Sequence, residues 1–161
     1  MSISLDGTNG ITYPAGVNPQ AAPSKVLQVV QSSYQTAVSN STTTYADTGL
    51  SATITPLFST SKILVLVNQS TYKSTGNTGN SINIKLFRNS TDLGRFIYIQ
   101  GYTNTLLELY STVPVQYLDS PATTSATTYK TQFSNLVSSP FVSVQADNLG
   151  LSTITLMEIA Q

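Results

Sequence analysis

Seven carboxylates (Asp6, Asp47, Asp92, Glu108, Asp119, Asp147 and Glu158) are the side chains that could serve as general acids or bases near neutral pH. Hydrolysis of a glycosidic bond needs two such groups roughly 5–10 Å apart across the bond, and no spacing here pairs two of them. Asp47, Asp92 and Asp119 each adjoin turn formers, where bonding of the carboxylate to nearby backbone N–H groups accounts for the residue. The chain holds no His and no Cys. That removes the imidazole base, the thiol nucleophile, the Ser-His-Asp triad and His-ligated zinc. Calcium needs clustered oxygen ligands with several carboxylates, and no D-x-[DN]-x-[DN]-G run occurs. Gly76-Asn77-Thr78-Gly79 contains two glycines but neither a following helix nor a GK[ST] ending, so it makes no phosphate cradle. The expectation is a protein without enzymatic activity, metal or cofactor.

Binding chemistry has one candidate. Tyr98 and Tyr102 fall in or beside a loop with Gln100 and Asn104. Rings next to amides can stack on sugars and bond their hydroxyls, so Tyr98, Tyr102 and Asn104 are candidate glycan contacts. The plainer reading packs these rings at the end of the domain. Three Asn-x-Ser/Thr sequons, at Asn40, Asn68 and Asn89, are matched by the abundance of Asn, Ser and Thr alone.

Composition narrows the class further. Of 161 residues, 46 are Ser or Thr and 21 are Asn or Gln, whereas charged residues make up 9%. An average domain carries about 25% charge, so solubility here comes from hydroxyls and amides. Zero net charge with Arg88 and Arg95 as the only arginines gives no electrostatic footprint for nucleic acid. No apolar run approaches 18 residues, so no membrane-spanning helix is expected, and no signal peptide is expected at the N-terminus. Hydrophobic content of 40%, with nine Tyr and five Phe, indicates a folded chain.

The elements that must position these residues are strands. Residues 1–24 stand apart: Pro14, Pro19 and Pro23 with Gly7, Gly10 and Gly16 exclude a helix and suit an extended arm with turns at Asp6-Gly7 and Asn9-Gly10. Its apolar Leu5, Ile11 and Tyr13 are too few for a core, which leaves a free terminus or an arm docking on a neighbour. From Lys25 to Gln161, β-branched runs alternate with Ser/Thr/Asn/Gly/Pro clusters. Strands are expected at Val26–Val30, Thr42–Tyr45, Ala52–Thr55, Lys62–Val67, Ile82–Leu86, Arg95–Ile99, Val113–Leu118, Thr127–Phe133, Phe141–Val144 and Ser152–Ile159. Asp47-Thr48-Gly49 reads as the turn between the second and third, and Leu106–Tyr110 as a candidate helical turn. Spacings near 8–12 residues indicate an all-β domain: a single antiparallel β-sandwich, jelly-roll in type, at 25–161, with the arm at 1–24.

The last strand bears on assembly. Ile154 and Leu156 lie on one face, Met157 and Ile159 with Thr153 and Thr155 on the other. Either the strand is buried on both sides within one subunit, or the Met157/Ile159 face packs against copies of itself. Glu158, beside that face, then needs a partner or an exit to solvent. A surface so poor in charge also has little protection against edge-to-edge pairing, which a closed oligomer removes.

Several segments resemble small β-rich virion proteins of tailed bacteriophages, especially aquatic ones, of the tail-fibre-like or head-decoration kind. They are Lys25–Val30, Thr48–Pro56, Ser59–Val65, Leu118–Lys130 and Ser152–Ile159, in order along the body. Gly10-Ile11-Thr12-Tyr13-Pro14-Ala15-Gly16 is similar to the G-I-T-F-P-D-G segments preceding head domains in phage fibres, with Tyr for Phe and Ala for Asp. The resemblance implies a virion structural protein, assembled in the bacterial cytoplasm: a short tail-fibre-type appendage or a capsid decoration. It departs from long fibres in having no shaft or coiled coil. The expected partners are further copies, as a homotrimer through Met157 and Ile159, and another virion protein reached by Leu5, Ile11 and Tyr13. The alternative is a carbohydrate-binding module for the host surface.

Overall fold

The computed structural model describes residues 4–6, 10–12 and 25–161. Strands β1 (Ser4–Asp6) and β2 (Gly10–Thr12) pair antiparallel, with Leu5 opposite Ile11. The body comprises β3 (Val26–Tyr34), β4 (Val38–Asn40), β5 (Ala46–Ile54), β6 (Lys62–Lys73), β7 (Ile82–Arg88), β8 (Thr91–Gln100), β9 (Leu109–Asp119), β10 (Thr127–Asn135), β11 (Val142–Val144) and β12 (Ser152–Ile159), with a short 3-10 turn at Ala146–Asn148. One sheet runs β5-β10-β7-β8, all antiparallel. The other is organised by β6. Along one side β6 pairs with β9 from Ile63 to Lys73; along the other it pairs first with β12, over Lys62–Asn68, then with β11, over Thr71–Lys73. Strand β3 lies outside β12 and β4 outside β11.

Counting only the eight strands of seven residues or more, in chain order, one sheet reads 1-8-3-6 and the other 2-7-4-5. Two Greek keys wound around each other give this order, and the fold is a jelly-roll β-sandwich. Strict alternation builds its interior: Ile63, Val65 and Val67 of β6, Ile154 and Leu156 of β12, Leu50, Ala52 and Ile54 of β5, and Tyr129 of β10 close one core cluster. Ile82, Ile84, Val113, Phe133, Val142 and Val144 close a second. Between them lies a band of buried polar side chains. The Thr48 and Thr131 hydroxyls meet at 2.6 Å, Thr131 donates to Gln69 Oε1 at 2.9 Å, and Gln69 Nε2 donates to Ser152 Oγ at 2.8 Å.

Several expectations change. Thr42–Tyr45 is not a strand; β4 lies just before it, at Val38–Asn40, and the Asn40 side chain ties the following bend by accepting from Thr42 N–H and donating to Thr44 O. Asp47-Thr48-Gly49 is not a turn but the interior of β5. Gly49, at φ +85, sits where the register against β10 slips between Lys130 and Gln132, a bulge that glycine allows without strain. The Tyr34 ring fills the space a Cβ at Gly49 would take. Leu106–Tyr110 forms no helical turn; β9 begins within it, at Leu109. Asp47 and Asp119 are strand residues held by ion pairs, with Lys130 and Arg88, while Asp92 keeps the expected backbone partner, Gly94 N–H, alongside Lys85. Glu158 is on the inner face with Ile154 and Leu156, fully buried.

Candidate functional site

Antiparallel winding sorts the connections into two ends. Lys25, Gln161 and the β5–β6, β7–β8 and β9–β10 connections share one end; the β6–β7 and β8–β9 connections and the segments carrying β4 and β11 share the other. Lys25 therefore lies at the end opposite the longer loops.

The outer face of the β3-β12-β6-β9 sheet carries an apolar row. Register places Val29 beside Met157, Met157 beside Leu64 and Leu64 beside Leu118, on four successive strands. Val29 is 56% exposed and Leu118 48% exposed, with Met157 and Leu64 half-buried. Ile159, also half-buried, lies one step along β12, beside Lys62. Strand β6 is central by hydrogen bonding, as its doubly apolar run suggests, yet Leu64 and Leu66 on this side meet no second layer among the described residues. The next row along the sheet, Gln31–Thr155–Leu66–Gln116, is polar but for Leu66.

The tyrosine cluster read from sequence is only partly assembled. Tyr98 is exposed on β8, but the Arg95 guanidinium lies over its ring at 4.0 Å from the centroid. Tyr102 is exposed, and its hydroxyl reaches Asn104 Oδ1 at 3.5 Å. Leu5 and Ile11 are opposed in the β1–β2 pairing; their side chains, and Tyr13 altogether, lie outside the described residues.

A third surface was not visible in the sequence. At the end away from Lys25, the β6–β9 register sets Tyr72 beside Tyr110 on the outer face, with ring centroids 4.6 Å apart. Phe141, just before β11, lies 5.9 Å from Tyr72 on the other side. Tyr72 is 9% exposed and forms the floor; Tyr110, at 60%, and Phe141, at 40%, form the walls. The depression, about 370 Å³, is closed by Ser39, Ser143 and the 146–148 turn. Tyr72 donates its hydroxyl proton to Glu108 Oε1 at 3.0 Å, and Tyr110 to Asp147 Oδ2 at 3.2 Å. Burial, and then the Glu108 carboxylate, push the Tyr72 hydroxyl up to about 12. The Tyr110 hydroxyl is raised too, by desolvation and by Asp147. No group of three or more acidic side chains among the described residues converges as a metal site.

No family model matches the chain, and no curated protein matches it. Among solved structures, it is similar to the infectious bursal disease virus VP2 subviral particle, at 11% identity and a TM-score of 0.48, over 92% of this chain and 43% of that one. A second structure, of infectious bursal virus derived T=1 particles, is similar at 12% identity and the same TM-score of 0.48, over 98% of this chain and 44% of that one. The chain thus spans less than half the length of either.

Proposed function

We propose that this chain is a non-enzymatic structural protein of a virion, a short tail-fibre-type appendage or capsid decoration of a tailed bacteriophage. It assembles as a homotrimer and is tethered to another virion protein by residues 1–24. The observation that carries the reading is the row Val29–Met157–Leu64–Leu118, apolar side chains left without a second layer among the described residues. A second copy is the occupant that fits, because the row is uncharged and self-association around an axis buries it in a closed ring. The segments from Lys25 to Ile159 that resemble phage virion proteins support the same reading. So does the position of the arm root at one end, which leaves the far end free when Leu5, Ile11 and Tyr13 dock.

Sedimentation equilibrium of the full chain at micromolar concentration tests it. A particle near three times the 17.2 kDa chain mass is expected, converted to a folded monomer by Met157→Lys. A monomeric wild-type chain overturns the assembly proposal. Loss of particle incorporation on removing residues 1–24, with the trimer intact, is the result expected of the tether; normal incorporation refutes it.

A further inference from the structure

Charge accounting singles out the aromatic trough. Among the described residues, Asp47 pairs with Lys130, Asp92 with Lys85 and Asp119 with Arg88. Glu158 is answered by Gln28 and by the backbone N–H groups of Leu57 and Phe58. Of the described acidic side chains, Glu108 and Asp147 alone receive neither a cation nor a backbone donor from the described residues, and both lean on the same pair of rings, through the Tyr72 and Tyr110 hydroxyls. Lys73, next to Tyr72 in sequence, does not offset them: it is buried, and its ammonium bonds Thr103 and Thr105 in the β8–β9 connection.

We propose that the trough of Tyr72, Tyr110 and Phe141 binds an organic cation, an alkylammonium or guanidinium group, seated over the rings between Glu108 and Asp147. A cation is held when it lies within about 6 Å of an aromatic centroid. Centroid separations of 4.6 and 5.9 Å let a single headgroup touch more than one ring. A phenol that donates its proton to a carboxylate has a more electron-rich ring, so each hydrogen bond strengthens the attraction as well as fixing the ring. The depression also offers neutral polar groups, the Asn148 amide and the Ser39 and Ser143 hydroxyls, but the charges at the rings are the two carboxylates bonded to the Tyr72 and Tyr110 hydroxyls, and a positive group neutralises them where a neutral sugar does not. The turn beside the trough is held in place. Gln145, Asp147 and Asn148 all take left-handed φ, at 51°, 57° and 57°, and Asn148 Oδ1 pins the turn by accepting from Ala37 N–H at 2.8 Å. The proposal does not depend on the assembly reading; the trough lies at the end opposite the arm root, where a tethered chain leaves it open.

Titration of the full chain with choline, followed by NMR shifts of the tyrosine and phenylalanine ring protons, tests it. The arms are 3,3-dimethyl-1-butanol as neutral isostere, N-acetyl-lysine methylamide, arginine, and glucose and galactose as neutral sugars. Saturable choline binding is expected, about tenfold tighter than the isostere and weakened about tenfold by Tyr110→Ala. Asp147→Asn and Glu108→Gln are expected to weaken it roughly threefold each and to flatten its salt dependence. Both are conservative surface changes, so they carry the test should Tyr110→Ala unfold. Equal binding of choline and its isostere overturns the proposal, because the trough is then an apolar groove. Binding of the sugars without the cations overturns it in favour of a saccharide platform. Choline binding unmoved by both carboxylate variants, or the failure of choline, the lysine derivative and arginine alike to bind, also refutes it.

Discussion

Glu158→Gln is the sharpest test of how the Lys25 end of the domain is held. The carboxylate is fully buried, and both its oxygens are acceptors. Oε1 takes the Leu57 N–H at 2.8 Å and the Phe58 N–H at 3.3 Å; Oε2 takes Gln28 Nε2 at 2.6 Å. An amide offers one oxygen and one NH2, so whichever way the substituted side chain turns, a donor faces a donor. Gln28 cannot relieve this by rotating its own amide, because Nε2 also donates to Thr55 O at 2.8 Å. Losing a charge-assisted bond and stranding a buried donor costs about 2–3 kcal/mol, or about 5–10 °C in Tm for a domain of this size. The cost has a pH signature. Burial alone would raise the Glu158 carboxyl, but Gln28, the nearby Ser61 hydroxyl and the Leu57 and Phe58 N–H groups hold it below its ordinary value of 4.5. A depressed carboxylate contributes its stability fully above the ordinary value and loses it as pH falls through the folded one. Urea midpoints of the two proteins should therefore differ most near neutral pH and converge as the pH falls below the ordinary carboxylate range. Asp47 and Asp92 are also held low, by Lys130 with Gln132 against an opposing burial effect, and by Lys85 with the Gly94 N–H; both are present in each protein and cancel from the difference. A variant within about 0.5 kcal/mol of the wild type at pH 7, or a gap that does not close with acid, refutes the account.

Three further outcomes follow from the interior. Thr131→Val keeps the shape but strips Gln69 Oε1 of its donor, and should lower unfolding free energy by about 1–3 kcal/mol; Thr131→Ser, which keeps the hydroxyl, should lose less than half of that by calorimetry. Asp119→Asn breaks the pair in which Arg88 Nη1 donates to both oxygens, at 3.0 and 2.9 Å, beside the Tyr129 hydroxyl at 2.6 Å. Because Arg88 is partly exposed, about 1–3 kcal/mol is expected in chemical denaturation, below the cost for a fully buried pair. Gly49→Ala places a Cβ 2.2 Å from the Tyr34 ring at φ +85, and should cost about 1–3 kcal/mol; Tyr34→Ala in the same chain relieves the clash but not the backbone strain, so a complete rescue would show that strain at Gly49 is negligible.

What the sequence made legible was whatever obeyed period two. Ile82, Ile84 and Leu86 turn inward as their alternation requires, and Ile154/Leu156 and Met157/Ile159 take opposite faces of β12 as read. Glu158 follows the same parity, two beyond Leu156, and its partners come from Gln28 and a loop about a hundred residues away, beyond the reach of a local pattern. The sequence pattern ends β6 at Val67, because its next inward positions are Gln69, Thr71 and Lys73, polar residues that mimic a loop. Gly49 misled for the converse reason, since a glycine after Asp-Thr signals a turn and here serves a bulge. The aromatic trough joins Tyr72, Tyr110 and Phe141 through register and loop packing, and no spacing within the chain announces that meeting.

The buried polar band explains why β6 can change partners halfway along. Its pairing with β12 ends at Asn68 and its pairing with β11 starts at Thr71, so on that edge Gln69 and Ser70 have no ladder neighbour. An unpaired buried backbone group costs as much as a lost hydrogen bond, and here side chain and loop supply the deficit. Ser152 Oγ accepts the Ser70 N–H at 2.9 Å, and Gln145 N–H donates to Ser70 O at 3.3 Å. With the Gln145 amide turned to satisfy its neighbours, its oxygen accepts from Gln69 Nε2 and Ser152 Oγ, and its nitrogen donates to Thr48 O and Val144 O. Thr48, Thr131, Gln69, Ser152 and Gln145 then close a ring that spans both sheets. Because every member is satisfied, the ring ties one register to another where hydrophobic packing alone would tolerate a slip. It also divides the two apolar clusters at the level where β12 gives way to β11. The short strands β4 and β11 extend the sheet beyond that level, and the Tyr72–Tyr110–Phe141 trough is built on the extension. A polar core that looks like an excess of hydroxyls in the composition is thus the joint on which the far end of the domain is mounted.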